Sequence, residues 1–362
     1  MAVFEAIGAD SHEEVVYGFD RPSGLRTIVA IHSSALGPAL GGTRFFPYRS
    51  EEDALTDVLR LSRGMTYKSA AAGLDLGGGK AVIIGDPKTM KTERLLRAYG
   101  DVVESLGGRY ITAEDVGTTA EDMVVIRKAT RHVAGLPSAH GGSGDPSPAT
   151  ARGVQRAMEA VADTLWGSRD LAGKRIAVQG IGKVGMSLVE RLSTAGAEIV
   201  VADVEQGALD HAVESFGAKA VEQDEAFAID CDLFSPCALG ATLNEQTIPL
   251  LRCAAVVGSA NNQLATAEDA DRLRERGILY VPDFVANAGG VINIAAEREA
   301  YAIERAAAMV DEIYGNVKTV LRRAAEDGVD TNRAAERIAE ERIAAIGTLR
   351  LRTAHGRAMG RR

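Results

Sequence analysis

Between an apolar run and a helix-like pattern the chain reads "IAVQGIGKVGMSLVERL", with Gly180, Gly182 and Gly185 spaced as G-x-G-x-x-G. No other stretch restricts the possible folds as much. "KRIAVQG" predicts a buried strand, and the residues after Gly182 repeat with the period of a helix. Eighteen residues after Gly185, Asp203 ends a second apolar run, "EIVVADV". Strand, glycine turn, helix, strand and acidic end together make a βαβ unit that binds a dinucleotide. The glycines permit a tight turn and close approach of a pyrophosphate, the helix N-terminus faces its charge, and the carboxylate holds the ribose diol. Three spaced glycines alone arise by chance, and a structural turn with Asp203 at a strand end is the alternative. With all four elements in register the dinucleotide is favoured. A carboxylate at Asp203 repels a 2′-phosphate, and no arginine follows in "DVEQGALD", which favours NAD over NADP.

The remaining chain is long enough for a second domain, since 362 residues suffice for about two. The balance of 41 Lys and Arg against 50 Asp and Glu gives −9, without a basic stripe. That argues against nucleic acid or an anionic membrane surface as partner. No apolar run reaches membrane-spanning length. "MAVFEAIGADSHEE" has no basic region followed by an apolar stretch, so no secretory signal is expected. Cys231, Cys237 and Cys253 are odd in number and lack CxxC spacing. They predict reduced thiols in a cytoplasmic protein, and six scattered histidines predict no metal site.

Before the fingerprint, strands and helices already alternate. "EEVVYGF" and "LRTIVAIHSS" flank a turn at "DRPSG" and read as a hairpin. Ser50 and Asp53 cap a helix carrying Leu55, Val58, Leu59 and Ser62. "KAVIIGD" and "RYITAED" read as strands with a helix between them. "HGGSGDPSPAT", His140 to Thr150, breaks every period and predicts a hinge. The expected fold is α/β, with two domains separated by a cleft, since strand–helix alternation of this kind builds parallel sheets with buried crossovers. The first spans 1–140, with C-terminal helices of 330–362 completing it. The second, 141–329, is a Rossmann-type doubly wound parallel sheet.

"GMTYKSAAAGLDLGGGKAVIIGD" places Lys68 and Lys80 twelve positions apart, the second closing a triple-glycine turn. A P-loop would need glycine where Leu74 stands and a hydroxyl where Ala81 stands, so that reading fails. Asp115 follows the next strand in "TAEDVGT". Two lysines converging on one cleft depress each other's pKa, so one can serve as a base while the other holds a carboxylate. From these residues alone, a solvated lysine on a plain turn explains "GGGK" equally well.

Longer motifs separate the two. "LGPALGGTRFFPY", "RGMTYKSAAAGLDLGGGKAVIIGDP", "GGRYITAEDVGTT", "FSPCALGATLN", "GSANNQL" and "PDFVANAGGVINIA" together resemble the glutamate/leucine/phenylalanine/valine dehydrogenase family, from about Val15 to about Arg342. The likeness is greatest to its leucine and valine dehydrogenases. It implies NAD-dependent, reversible oxidative deamination of a branched-chain L-amino acid to a 2-oxo acid and ammonia. By the same resemblance Lys80 is the general base, Lys68 binds the α-carboxylate, and Asp115 exchanges protons with the amino group. Gly41, Gly77 and Gly78 let the backbone approach the substrate, and Asn262 lies beside it. Leu40, Ala113, Val291 and Ile294 line the side-chain pocket. Thr150, Lys183, Val184, Cys237, Ala238, Asn261 and Asn287 join Gly180, Gly182, Gly185 and Asp203 around the cofactor.

The family forms homo-oligomers, octamers or dimers among its members. Glutamate-specific relatives have a lysine and a hydroxyl at the positions of Leu40 and Ile294. Leucine dehydrogenases have threonine and valine at those of Ala134 and Ile294, so both departures bear on the substrate. The alternatives are a phenylalanine dehydrogenase, a non-catalytic NAD-responsive binding protein, and a 2-hydroxy-acid dehydrogenase, for which no histidine is suitably placed.

Overall fold

The computed structural model describes residues 4, 7–8, 11–298 and 300–359, with side chains as far as 347. Of the N-terminal stretch read above for a secretory signal, residues 1–3, 5–6 and 9–10 lie outside the described residues. The chain forms two units: Met1–Asp145 with Ile294–Tyr301 and Ala339–Arg362, and Pro146–Asn293 with Ala302–Ile338. Residues 294–301 therefore belong to the first unit and 330–338 to the second, unlike the sequence-based boundaries. Both exchanges fall inside or beside helices, where no linker composition marks them. Helix Thr331–Met359 begins in the second unit, where Thr331 donates to Tyr280 O at 2.6 Å. Its Ala339 packs with Leu36 and Ala70 of the first.

In the first unit β1 (Glu14–Asp20), β2 (Leu25–Ser33), β3 (Ala39–Phe46), β4 (Gly77–Ile84) and β5 (Tyr110–Glu114) form one sheet of order β1-β2-β4-β3-β5. The hairpin read in the sequence is β1–β2, and parallel pairing in this sheet is confined to β3 and its two neighbours. β2 runs antiparallel to both β1 and β4, while β3 is parallel to β4 and β5. A hairpin turn as short as that between β1 and β2 permits only antiparallel pairing, and β4 takes the other edge of β2. β3 was not read as a strand at all, because its glycines mask the alternation. α1 (Glu51–Ala71) covers one face, starting at Ser50, whose hydroxyl accepts the Asp53 N–H at 3.0 Å. Ile28, Ala30, Val82 and Ile84 meet Ala54, Leu55, Val58 and Leu59 of α1 there. The opposite face packs Val29, Ile31, Phe45, Ala81 and Ile83 on α2 (Glu93–Ser105) and α3 (Ala120–Ile126).

The second unit holds a six-stranded, wholly parallel sheet. Its strands are β6 (Arg175–Gln179), β7 (Glu198–Ala202), β8 (Lys219–Ala220), β9 (Leu233–Pro236), β10 (Ala255–Val256) and β11 (Leu279–Tyr280), in the order β11-β10-β9-β6-β7-β8. The chain enters through α4 (Ser147–Trp166), and α5 (Lys183–Thr194) joins β6 to β7. The order reverses at β6, and loops at the carboxyl ends on either side of such a switch point are where this architecture binds ligands. Among the described residues no helix is long and apolar enough to cross a membrane.

Candidate active site

Alternation along β4 decides where Lys80 points. Ala81 and Ile83 face α2, so Lys80, Val82 and Ile84 face α1. The triple glycine is part of this strand rather than a turn: Gly77, Gly78 and Gly79 are all buried and paired. A Cβ on Gly78 would lie 2.0 Å from the Thr66 backbone nitrogen of α1, and one on Gly77 2.0 Å from Ser33 O. On β3, a Cβ at Gly41 would lie 1.7 Å from Gly79 O. Protein atoms already fill the side from which each Cβ would project. Strand–strand and strand–helix contact therefore demands these glycines, whatever else approaches them. The contact at Gly78 also fixes the last turn of α1, which carries Lys68, half-buried.

Lys80 donates from Nζ to Asp115 Oδ2, and its side chain is 9% exposed. Burial, reinforced by the Arg44 and Lys68 cations, pushes its pKa down to about 7. The Asp57 carboxylate opposes that, and contact with Asp115 also favours the ammonium, but the net shift is downward. The carboxylate is held in a tight turn after β5. Oδ1 accepts the Val116 N–H at 2.6 Å, the Asp115 N–H reaches Thr118 Oγ1 at 2.9 Å, and that hydroxyl donates to Thr43 O at 2.8 Å. A Cβ at Gly42, between β4 and β5, would lie 2.9 Å from the Asp115 Cβ. Gly42 thus clears the path by which Asp115 reaches Lys80, and the sequence reading did not single it out. Nor did it single out Arg44 and Asp57, which border the same pair. Their only signal was membership of "LGGTRFFPY" and of the apolar helix pattern.

Other residues of the first unit converge beside this cluster. Leu40 and Ala113 are buried, and Ile294 is half-buried. A Cβ at Gly135 would lie 3.8 Å from the Ala113 Cβ and 3.9 Å from Ile294 Cδ1, so those two apolar groups flank one spot. Ala134 is buried beside them, its N–H donating to Thr112 O at 2.8 Å.

In the second unit Gly180 has φ +90°, and a Cβ there would strike Ala238 at 2.6 Å. Gly185 packs on Gly180 O, with the Cys237 Cβ 3.6 Å from where its own Cβ would be. The loops after β6 and β9 are thereby locked together, Cys237 N–H donating to Gln179 O at 2.7 Å. Gly182 differs, with nothing within 4 Å of its Cβ position. It leads into α5 without a side-chain cap, so the first turn, Lys183, Val184 and Gly185, starts from a bare glycine face of the kind that suits an anion. Asp203 accepts the Ile181 N–H at 2.6 Å and the Glu205 N–H at 3.0 Å, bracing the glycine loop. Asn287 donates to Ser259 O and Asn261 Oδ1, each at 3.0 Å, and its buried Oδ1 accepts nothing among the described residues. Thr150 lies beside Gly290, Val291 is buried, and Asn262 has φ +53° with its N–H on Asp283. The open Gly182 face and the orphaned Asn287 oxygen fit a dinucleotide with a carboxamide end.

A doubly wound sheet with this fingerprint, in a chain whose other unit holds a buried lysine–carboxylate pair, fits the class of dinucleotide-using oxidoreductases. The profile for "Glu/Leu/Phe/Val dehydrogenase, dimerisation domain" matches residues 14–132, and that for "Glutamate/Leucine/Phenylalanine/Valine dehydrogenase" matches 141–212 and 202–355. Leucine dehydrogenase of Bacillus subtilis (strain 168) is 51% identical over 343 residues, 95% of this chain and 94% of that one. Valine dehydrogenase of Streptomyces virginiae is 49% identical, covering 92% and 94%. The crystal structure of L-tryptophan dehydrogenase from Nostoc punctiforme superposes with TM-score 0.85 at 42% identity, covering 95% and 99%. The chain belongs to the glutamate/leucine/phenylalanine/valine dehydrogenase family. It is an amino-acid dehydrogenase, an oxidoreductase acting on CH–NH2.

Proposed function

We propose that the protein catalyses the reversible, NAD-dependent oxidative deamination of leucine, valine and isoleucine to their 2-oxo acids and ammonia. The observation that carries the chemical assignment is Lys80, buried on a sheet face with its pKa near 7 and in contact with Asp115. Lys68 pairs with the substrate α-carboxylate. Asp115 takes a proton from the substrate ammonium, leaving the neutral amine whose lone pair assists loss of hydride from Cα. When bound, NAD supplies the nicotinamide ring that accepts this hydride. Water then adds to the iminium carbon, and neutral Lys80 takes the proton that the forming C–O bond releases. Asp115 returns its proton to nitrogen, the C–N bond breaks as the hydroxyl oxygen forms the C=O bond, and the hydroxyl proton leaves with the released ammonia as ammonium.

α5 and the Gly182 face receive the pyrophosphate, and Asp203 receives the ribose diol. Leu40, Ala113, Val291 and Ile294 make the side-chain pocket apolar, and none of them pairs with a distal carboxylate. The protein acts as a homo-oligomer, a reading supported by the dimerisation-domain match over residues 14–132. Its free cysteines favour a cytoplasmic setting.

Because Lys80 acts when neutral, kcat/KM for deamination should rise with pH through about 7. The decisive measurement is NADH formation across a panel of L-amino acids at several pH values. The proposal fails if phenylalanine, tryptophan or glutamate exceeds every branched-chain substrate in kcat/KM. A profile flat from about pH 6 to 9 removes the lysine base.

A further inference from the structure

The geometry points to Arg44 as a positioning residue for this reaction: its guanidinium spans Asp57 on α1 and Asp115 beside Lys80, and so fixes which Asp115 oxygen faces the lysine. The inference rests on Lys80 and Asp115 having the roles just proposed. Arg44 Nη1 donates to Asp57 Oδ2 at 2.8 Å, and Nη2 stands 3.8 Å from Asp115 Oδ1. Asp115 is thereby divided. Oδ1 takes the Val116 N–H and faces the guanidinium, which leaves Oδ2 for Lys80. Asp57 is itself anchored, accepting Tyr48 Oη–H at 2.7 Å and Arg60 Nη2–H at 3.1 Å. Burial works against its charge, but the Tyr48 hydroxyl, Arg44 and Arg60 outweigh that and hold its pKa below the usual carboxylate range.

Arg44 stands on the α1 face next to Val82, where the neighbouring positions are apolar, and its Nε is buried with no hydrogen-bond partner. Packing alone would favour an aliphatic residue, because an unsatisfied buried donor is destabilising. The guanidinium does what an aliphatic chain cannot: it orients one carboxylate and sets the field at Lys80. Every element around Lys80 contributes to that field. β3 brings Arg44; α1 brings Asp57, Arg60 and Lys68; the turn after β5 brings Asp115. β2 presents Ala30 opposite Lys80 and, two residues on, His32 bonded to Thr66. Arg44 ranks directly after burial among the influences that lower the lysine's pKa, and Asp57 acts in the opposite sense.

The two partners of this bridge therefore have opposite signatures. In Arg44→Gln a cation is lost and Asp57 keeps only Arg60 as an ion-pair partner, so the ascending limb of kcat/KM should move up by roughly one pH unit. Activity should then fall about fivefold near pH 7 and largely recover near pH 9, with KM for the amino acid little changed. Asp57→Asn should move the limb down, and Arg44→Lys should lie between wild type and Arg44→Gln. If Arg44→Gln does not fold, Asp57→Asn and Arg44→Lys carry the test. Losses uniform in pH for both sites mean a merely structural role and overturn the proposal. A rise confined to KM makes Arg44 a carboxylate ligand and overturns it too. An active Lys80→Ala enzyme, by contrast, overturns the base assignment itself, whatever the Arg44 variants do.

Discussion

The two sheets recruit their functional groups by different physics. In the second unit the parallel sheet offers backbone: amides at the start of α5, a bare glycine face at Gly182, and a carboxylate that braces the loop. In the first, the mixed sheet offers side chains on one face. Lys80, Arg44, Asp57 and Lys68 come from two strands and a helix, and Asp115 from a turn. A backbone site needs only one turn to be right. A side-chain site needs the face of every contributing strand, the register of each pair and the closeness of α1 to be right together. The first unit should therefore lose more when one residue changes.

Lys80→Ala tests this most severely. It should lower turnover by about 10²–10⁴-fold, while NAD still binds through the second unit. Fluorescence titration with NADH alongside steady-state assays reads both quantities. Loss of NADH binding together with turnover would erase the division of labour.

The glycines give a matched pair. Gly78→Ala drives a Cβ to 2.0 Å from a helix backbone atom and should destabilise the protein by about 2–3 kcal/mol or more. Gly182→Ala meets no atom and keeps an extended φ of −63°, so its thermal transition should stay within about 0.5 kcal/mol of wild type. Its NAD affinity should nonetheless fall, since the methyl group occupies the pyrophosphate's approach. Equal melting losses in both variants would contradict the contrast.

These cases also show what the sequence displayed. The fingerprint was legible because strand, glycines, helix and Asp203 lie within twenty-nine residues, Arg175 to Asp203, and the turn depends on little else. Lys80 and Asp115 stood out in the sequence as ionisable groups at strand ends, but only the long family motifs gave them roles. Their shared face depends on β3, whose "ALGG" has no alternation to read. The hairpin was visible, but its antiparallel continuation onto β4 was not, since pairing partners are set by tertiary packing. Arg44 and Gly42 were hidden for the same reason: their value lies in what crosses from β5 and α1.

Asp203→Asn sharpens the second unit's side of the comparison. The amide oxygen still accepts the Ile181 N–H, so the loop stays braced, but the charge that repels a 2′-phosphate is gone. Discrimination between NAD and NADP should narrow by about 10–100-fold, the range set by losing a charge-assisted hydrogen bond. Unaltered protein that already uses both cofactors equally would refute the role given to this carboxylate.

The smallest effect belongs to the side-chain pocket. Ile294 is half-buried and flanks the same spot as Ala113, near Gly135, whose φ of +75° keeps it from carrying a side chain without strain. The Ile294 and Ala113 side chains are apolar, so discrimination there rests on volume, and one methylene is worth only about 1–3 kcal/mol. Ile294→Ala opens that volume without breaking a hydrogen bond or moving a charge. The ratio of kcat/KM for phenylalanine over valine should rise by about tenfold, the lower end of that range. The ascending limb near pH 7 should stay where it is, because Ile294 is absent from the groups that set the Lys80 field. A displaced limb would mean that the apolar wall and the charged face are one coupled site. An unchanged ratio would move the specificity determinant away from Ile294 and toward Leu40, which is buried on β3.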